Sequence, residues 1–380
     1  MGPHILKGFA DPIDAWTVSH LADAEGTGTD RPIAQSDLLP LVGRAAEIER
    51  LNSLWNKAAK GDGQVVMLSG DAGVGKSRVV LAMQEVATAE QIIEIRCSAH
   101  HMNSALHPVI EFIERDVFRF TPDDTPELKL EKLNGWMTSF SPDVEDASAL
   151  MTDLLSIAQP KEQPALNLTP LRQKERTLEM LIQVFLKQAD KQSVLFAIED
   201  LHWADPSTLE LLDRLIEPVS KSSVLCLLTY RPVFTYAWRE STSVSNLELQ
   251  ELSNTEAELM ITNAAKGRRL PAEVVRYILE KTDGIPLFLE ELTLMMIENE
   301  WLIERDGSYE LTAPLSRLPV PITLQDSLAS RLDRLDVAKY VAQLAATIGR
   351  EFTFDMLYAC LLYTSPSPRD RTRSRMPSSA

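Results

Sequence analysis

Gly70-Asp71-Ala72-Gly73-Val74-Gly75-Lys76-Ser77 reads G-x-x-x-x-G-K-S, and its flanks decide what it is. Gln64 to Ser69 is an apolar run of strand length immediately before it, and Ser77 to Met83 opens a helical pattern after it. A strand, a glycine turn and a helix N-terminus together aim backbone N–H groups and the positive end of a helix dipole at one point, which is how a loop cradles phosphates. Gly70 and Gly75 let the backbone wrap close to phosphate oxygens without Cβ clashes. Lys76 is placed to reach β- and γ-phosphates, and the Ser77 hydroxyl to ligate Mg²⁺.

Such a loop needs a partner that holds the metal and orients a water. Ser193 to Ile198 is a continuous apolar run, as expected of a strand buried on both faces of a parallel sheet. It ends in Glu199-Asp200, two acids at the strand edge where open α/β sheets bind ligands. One carboxylate is expected in the Mg²⁺ shell and its neighbour on the attacking water. Adjacent strand residues point to opposite faces, so the pair should divide the labour. Spacing alone does not say which does which, although second place in the pair favours Asp200 as base. A third strand, Ser223 to Leu228, leads into Thr229-Tyr230-Arg231-Pro232. Arg231 at that edge can sense a γ-phosphate, because a guanidinium stays charged and its planar fork pairs with phosphate oxygens.

Longer words carry a family resemblance. Leu41-Val42-Gly43-Arg44-Ala45-Ala46-Glu47 resembles the V-G-R-x-x-E box of signal-transduction ATPases of the STAND class, relatives of the AAA+ proteins. Glu199-Asp200-Leu201-His202-Trp203-Ala204-Asp205-Pro206 resembles the E-D-L-H-W-A-D-P stretch of one branch, and Thr282 to Glu291 is similar to its G-x-P box. The resemblance implies an α/β P-loop NTPase with a parallel sheet, followed by a helical lid and the beginning of a winged-helix domain. It places Gly43, Arg44 and Pro286 near an adenine and makes Arg231 the sensor arginine. The candidate nucleotide-binding set is then Val42, Gly43, Arg44, the whole loop Gly70, Asp71, Ala72, Gly73, Val74, Gly75, Lys76 and Ser77, the adjoining Arg78, and Pro286. The candidate metal ligands are Ser77, Glu199 and Asp200, and the candidate catalytic residues Glu199, Asp200 and Arg231. Many relatives begin the acidic pair with Asp, whereas Glu199 comes first here. The cofactors implied are ATP/ADP and Mg²⁺.

Ile5 to Val18 resembles the last strands of class III adenylate/guanylate cyclase domains, which often end L-K-G-x-x-x-P-x-x-x-x-x-V. A cyclase's metal-binding aspartates would lie upstream of Met1, so no cyclic nucleotide is expected from this chain by itself. Cys360 to Asp370 back-translates without a gap to a transposase-based sequencing-library adapter, and Ser374 to Ala380 to the adapter's far end. The natural sequence is therefore expected to stop near Ala359. The organisation expected is a cyclase remnant at 1–20, a linker at 21–38, the ATPase domain with a helical insertion at 39–235, a helical lid and Asp306-Gly307 hairpin at 236–318, the start of a winged helix at 319–359, and adapter read-through at 360–380.

The chain has 38 basic and 55 acidic side chains, a net charge of −17. Setting aside the four arginines and one aspartate of the suspect tail moves that to −20. This balance repels nucleic-acid backbones and anionic membranes, so neither is an expected partner. Outside the tail only Cys97 and Cys226 remain, too few for a disulfide framework, and with no signal pattern a cytoplasmic location is expected. Cys97, His100, His101 and His107 match no zinc spacing with paired ligands. Two functions compete. One is a slow, ATP-hydrolysing regulatory switch attached in cis to a cyclase, with self-association of two chains a further expectation. The other is the ATPase core of a LuxR-like transcription regulator whose DNA-binding domain lies downstream; it needs a basic helix-turn-helix that this sequence lacks.

Overall fold

The computed structural model describes residues 39–315 except 87–90, 122, 141–145, 159–167, 191, 237, 239–243 and 306. It also describes 3–4, 13–14, 332, 337–348 and 356–360. The expected linker at 21–38 and residues 361–380 lie outside the described residues, as does most of the cyclase-like stretch. Of that stretch two short strands are described, β1 (Pro3–His4) and β2 (Ile13–Asp14), paired antiparallel.

The centre of the molecule is a five-stranded, wholly parallel sheet built from β3 (Gln64–Ser69), β4 (Gln91–Arg96), β5 (Val194–Glu199), β6 (Val224–Tyr230) and β7 (Val244–Glu248). Its order is β4-β5-β6-β3-β7, so β6 lies between the strand that enters the glycine loop and the strand that ends in the acidic pair. Alternation along each strand sends successive side chains to opposite faces. Val65 and Met67 of β3, Phe196 and Ile198 of β5, and Cys226 and Leu228 of β6 enter one core, with the helices that follow β4 and β5. Those helices are α3 (His107–Phe112), α4 (Pro126–Phe140), α5 (Ala147–Leu154), α6 (Pro170–Gln188) and α7 (Pro206–Val219). Val66, Leu68, Leu195, Ala197, Leu225 and Leu227 enter the other, against α1 (Ala45–Ala58) and α2 (Lys76–Val86). Burial on both faces explains why β5 and β6 read as unbroken apolar runs.

A third core joins α8 (Asn254–Ala264), α9 (Ala272–Thr282), α10 (Pro286–Glu298) and the antiparallel hairpin of β8 (Leu302–Arg305) and β9 (Ser308–Leu311). Arg305 stands opposite Ser308, which leaves a two-residue turn with Gly307 at φ +78°. Within the stretch expected to begin a winged helix, α11 (Val337–Ile348) is described; residues 319–331, 333–336 and 349–355 lie outside the described residues. One boundary differs from expectation. The α/β layer does not stop at 235, because β7 pairs with β3 over Val65–Ser69 and carries the sheet to Glu248. No helix among the described residues is long and apolar enough to cross a membrane.

Candidate nucleotide site at the sheet edge

Parallel register brings the ends of all five strands to one edge. Ser69 stands opposite both Tyr230 and Glu248, and Arg96 opposite Glu199, so the glycine loop, the acidic pair and Arg231 emerge side by side. In the loop, Gly75 has φ +104° with open space where a Cβ would project, and Gly73 has φ +81°. Both need glycine because an L side chain rarely adopts these angles. Asp71 and Ala72 are exposed at the loop's mouth while Val74 is buried beneath it.

Lys76 is only 8% exposed, and its ammonium donates to the carbonyls of Gly70 (2.8 Å) and Asp71 (2.9 Å). Burial holds its pKa below the ordinary lysine value, opposed chiefly by the Asp200 carboxylate. The two acids differ sharply in setting. Glu199 completes β5 and is buried, with the Ser77 hydroxyl near enough to favour its charged form. Its Oε1 lies 3.3 Å from Arg96 Nε. Burial raises its pKa above the usual carboxylate value, an effect that Ser77 and Arg96 partly offset. Asp200 lies beyond the strand in the left-handed region, at φ +60°, with its N–H on Thr229 Oγ1 (3.0 Å) and its carboxylate a quarter exposed. The chain turns here, so the strict strand alternation expected of the pair ends at Glu199.

The rest of the acidic word is now readable. Asp205 is the N-cap of α7, accepting from the N–H groups of Ser207 (2.9 Å) and Thr208 (3.1 Å) and also, across the fold, from Leu106 (3.0 Å). Pro206 follows at the first helical position, where its missing donor costs nothing. An Asp-Pro-Ser sequence after a strand carries that capping signal, and Asp205 could have been found from it. The Trp203 ring lies 5.1 Å from the Arg231 guanidinium in a cation–π contact. The His202 ring sits 7% exposed between Trp203 and Asp200.

The V-G-R box and the G-x-P box strap the loop to the lid. Arg44, 5% exposed, donates to the carbonyls of Val74 in the loop (3.1 Å) and Gln250 beyond β7 (2.6 Å). At Gly43, φ +69°, a Cβ would stand 2.7 Å from the Glu256 carboxyl of α8. Val42 packs against the lid core, and Arg78 donates to the Leu39 carbonyl. Pro286 opens α10, and the next N–H, of Leu287, donates to the Gly73 carbonyl (3.2 Å). A side chain at Gly73 would be crowded there, since its Cβ would meet Leu287 Cβ at 3.1 Å. Gly43 and Arg44, with Leu41, Ala45, Ile48, Glu49 and Asn52, line an open pocket of about 440 Å³, and Pro286 does not. The histidines near Cys97 assemble no site. His101 and His107 stack on each other at 3.6 Å, and among the described residues no three His, Cys, Asp or Glu could hold a metal ion.

Residues 40–228 match the family model of the AAA ATPase domain. An uncharacterized protein, R02095, of Rhizobium meliloti (strain 1021) is 28% identical over 95% of this chain and 34% of its own length. Adenylate cyclase type 10 of Rattus norvegicus is 21% identical over 80% of this chain and 19% of its own length. The chain thus spans about a third or less of these relatives. Among solved structures, a STAND protein with a tetratricopeptide repeat sensor from Pyrococcus horikoshii gives a TM-score of 0.42 at 14% identity, over 88% of this chain and 39% of that one. Cdc6p from Pyrobaculum aerophilum gives 0.44 at 11%, over 86% and 87%.

Proposed function

We propose that this ATPase domain is a nucleotide-driven switch that binds Mg-ATP, hydrolyses it slowly, and regulates a cyclase domain joined to it in cis within a cytoplasmic signalling protein. The observation that carries the nucleotide chemistry is the glycine loop at the sheet edge, whose lysine is turned inward onto the Gly70 and Asp71 carbonyls, with Glu199 at the end of the neighbouring strand close enough to the Ser77 hydroxyl for it to lower the carboxyl's pKa. A hydroxyl and a carboxylate are the hard oxygen donors that Mg²⁺ takes, so this pair fits the ion and would hold it. Bound there, Mg²⁺ neutralises charge that develops on the transferred phosphoryl group.

The remaining roles follow from position. Loop N–H groups and the Lys76 ammonium bind the β- and γ-phosphates, the ammonium exchanging its carbonyl partners for phosphate oxygens. The pocket beside Gly43 and Arg44 takes the base. Asp200, with its partly exposed carboxylate, accepts the proton of the attacking water. Arg231 moves from the Trp203 face to the γ-phosphate. The strap from loop to lid lets phosphate occupancy bias the lid. The cyclase connection is supported by the Ile5–Val18 resemblance and by the similarity to a protein named as an adenylate cyclase. Calorimetry on Lys76→Ala tests the nucleotide site: Mg-ATP binding should be lost while circular dichroism shows the fold intact, and unchanged binding in the folded variant would contradict the assignment.

A further inference from the structure

Among the described residues at the sheet edge, His202 is a polar side chain whose setting the roles above leave unexplained. It is 7% exposed, and among the described residues neither ring nitrogen has a hydrogen-bond partner. Leaving a buried donor or acceptor unsatisfied costs on the order of 1–3 kcal/mol, and such groups are uncommon enough in folded proteins to require a reason. The ring is held firmly. It follows Leu201, which is fully buried, and packs at 4.5 Å against Trp203. Its Nδ1 lies 4.0 Å from Asp200 Oδ1. That is about 1 Å beyond a hydrogen bond, a gap that one rotation of a short, partly exposed carboxylate closes.

We propose that His202 is the positioning residue for Asp200: its Nδ1–H donates to Asp200 Oδ1 during turnover and leaves the second carboxylate oxygen aimed at the attacking water. The proposal rests on Asp200 serving as the base. It explains why an imidazole stands at a buried site that an apolar ring would fill at lower cost. A histidine here has a donor on a stiff ring one residue removed from its acceptor's neighbour, and no longer side chain is required to reach it. A charge-assisted hydrogen bond made only as the reaction proceeds raises kcat, not affinity, by about tenfold or more.

The test is steady-state ATP hydrolysis and Mg-ATP binding by the full chain, for wild type, His202→Phe, His202→Asn and His202→Gln, each also in an Asp200→Asn background. Asparagine places an N–H near the Nδ1 position and glutamine near Nε2. His202→Phe and His202→Gln should lower kcat about tenfold or more with KM and Kd within about twofold, and His202→Asn should recover most of the rate. In the Asp200→Asn background the three substitutions should make no further difference. Wild-type kcat in His202→Phe, an equal loss in the Asp200→Asn background, or equal rates for the Asn and Gln variants would overturn the proposal; the last comparison decides the matter even if His202→Phe fails to fold. A wild-type chain that binds Mg-ATP but never turns it over would instead overturn the hydrolytic reading, and this proposal with it.

Discussion

Replacing Arg44 by methionine should loosen the phosphate loop and the lid together. The guanidinium is 5% exposed and donates to Val74, 30 positions away in the loop, and to Gln250, 206 positions away at the entrance to the lid. Methionine keeps much of the stem's volume and removes both donors. Each hydrogen bond from a charged donor contributes about 1.5–3 kcal/mol. Two such bonds are offset in part because a desolvated guanidinium, whose pKa burial holds below its ordinary value, is no longer buried. A net loss of about 2–3 kcal/mol follows, or about 4–12 °C in Tm for a domain of this size. The assay is differential scanning calorimetry of the full chain with and without Mg-ATP, paired with nucleotide titration. Mg-ATP should bind at least about fivefold more weakly, since the Val74 carbonyl anchors the loop. Arg44→Met melting within about 1 °C of wild type and binding nucleotide equally would refute the strap.

Two further outcomes are expected. Burial raises the Glu199 pKa in the folded chain, so its contribution to stability is fully present below the ordinary carboxylate pKa and is lost as pH rises through the raised value. Glu199→Gln, measured without nucleotide, should therefore melt higher than wild type near pH 8, with the difference shrinking toward pH 4; a constant difference across that range would contradict the stated cause. In a protein carrying the cyclase domain upstream, Lys76→Ala should change cyclase output although it lies outside that domain, and equal output across ATP concentrations would remove support for coupling in cis.

The loop, the acidic pair and the two central strands were legible because each carries a local signal: glycines at fixed spacing, and apolar runs that only a strand buried on both faces can sustain. β7 was not. Val244-Ser245-Asn246-Leu247-Glu248 lies at the sheet edge with only Val244 buried, so its apolar signal is faint. The different settings of Glu199 and Asp200 were equally hidden, because they turn on the left-handed backbone at Asp200 and the hydroxyl of Thr229, neither visible in spacing. Arg44 shows a different limit. The resemblance of its V-G-R box marked it as important, but its partners are two carbonyls brought near by folding, which no spacing shows.

Magnesium titration of ATP hydrolysis by wild type, Glu199→Gln and Asp200→Asn bears most directly on the site. With Glu199 beside Ser77 on the metal side and Asp200 as base, Glu199→Gln should raise the Mg²⁺ concentration for half-maximal rate about tenfold or more. Asp200→Asn should leave that concentration within about twofold and lower kcat about 10²- to 10⁴-fold. Wild-type rates in both variants, or the two phenotypes exchanged, would contradict the assignment.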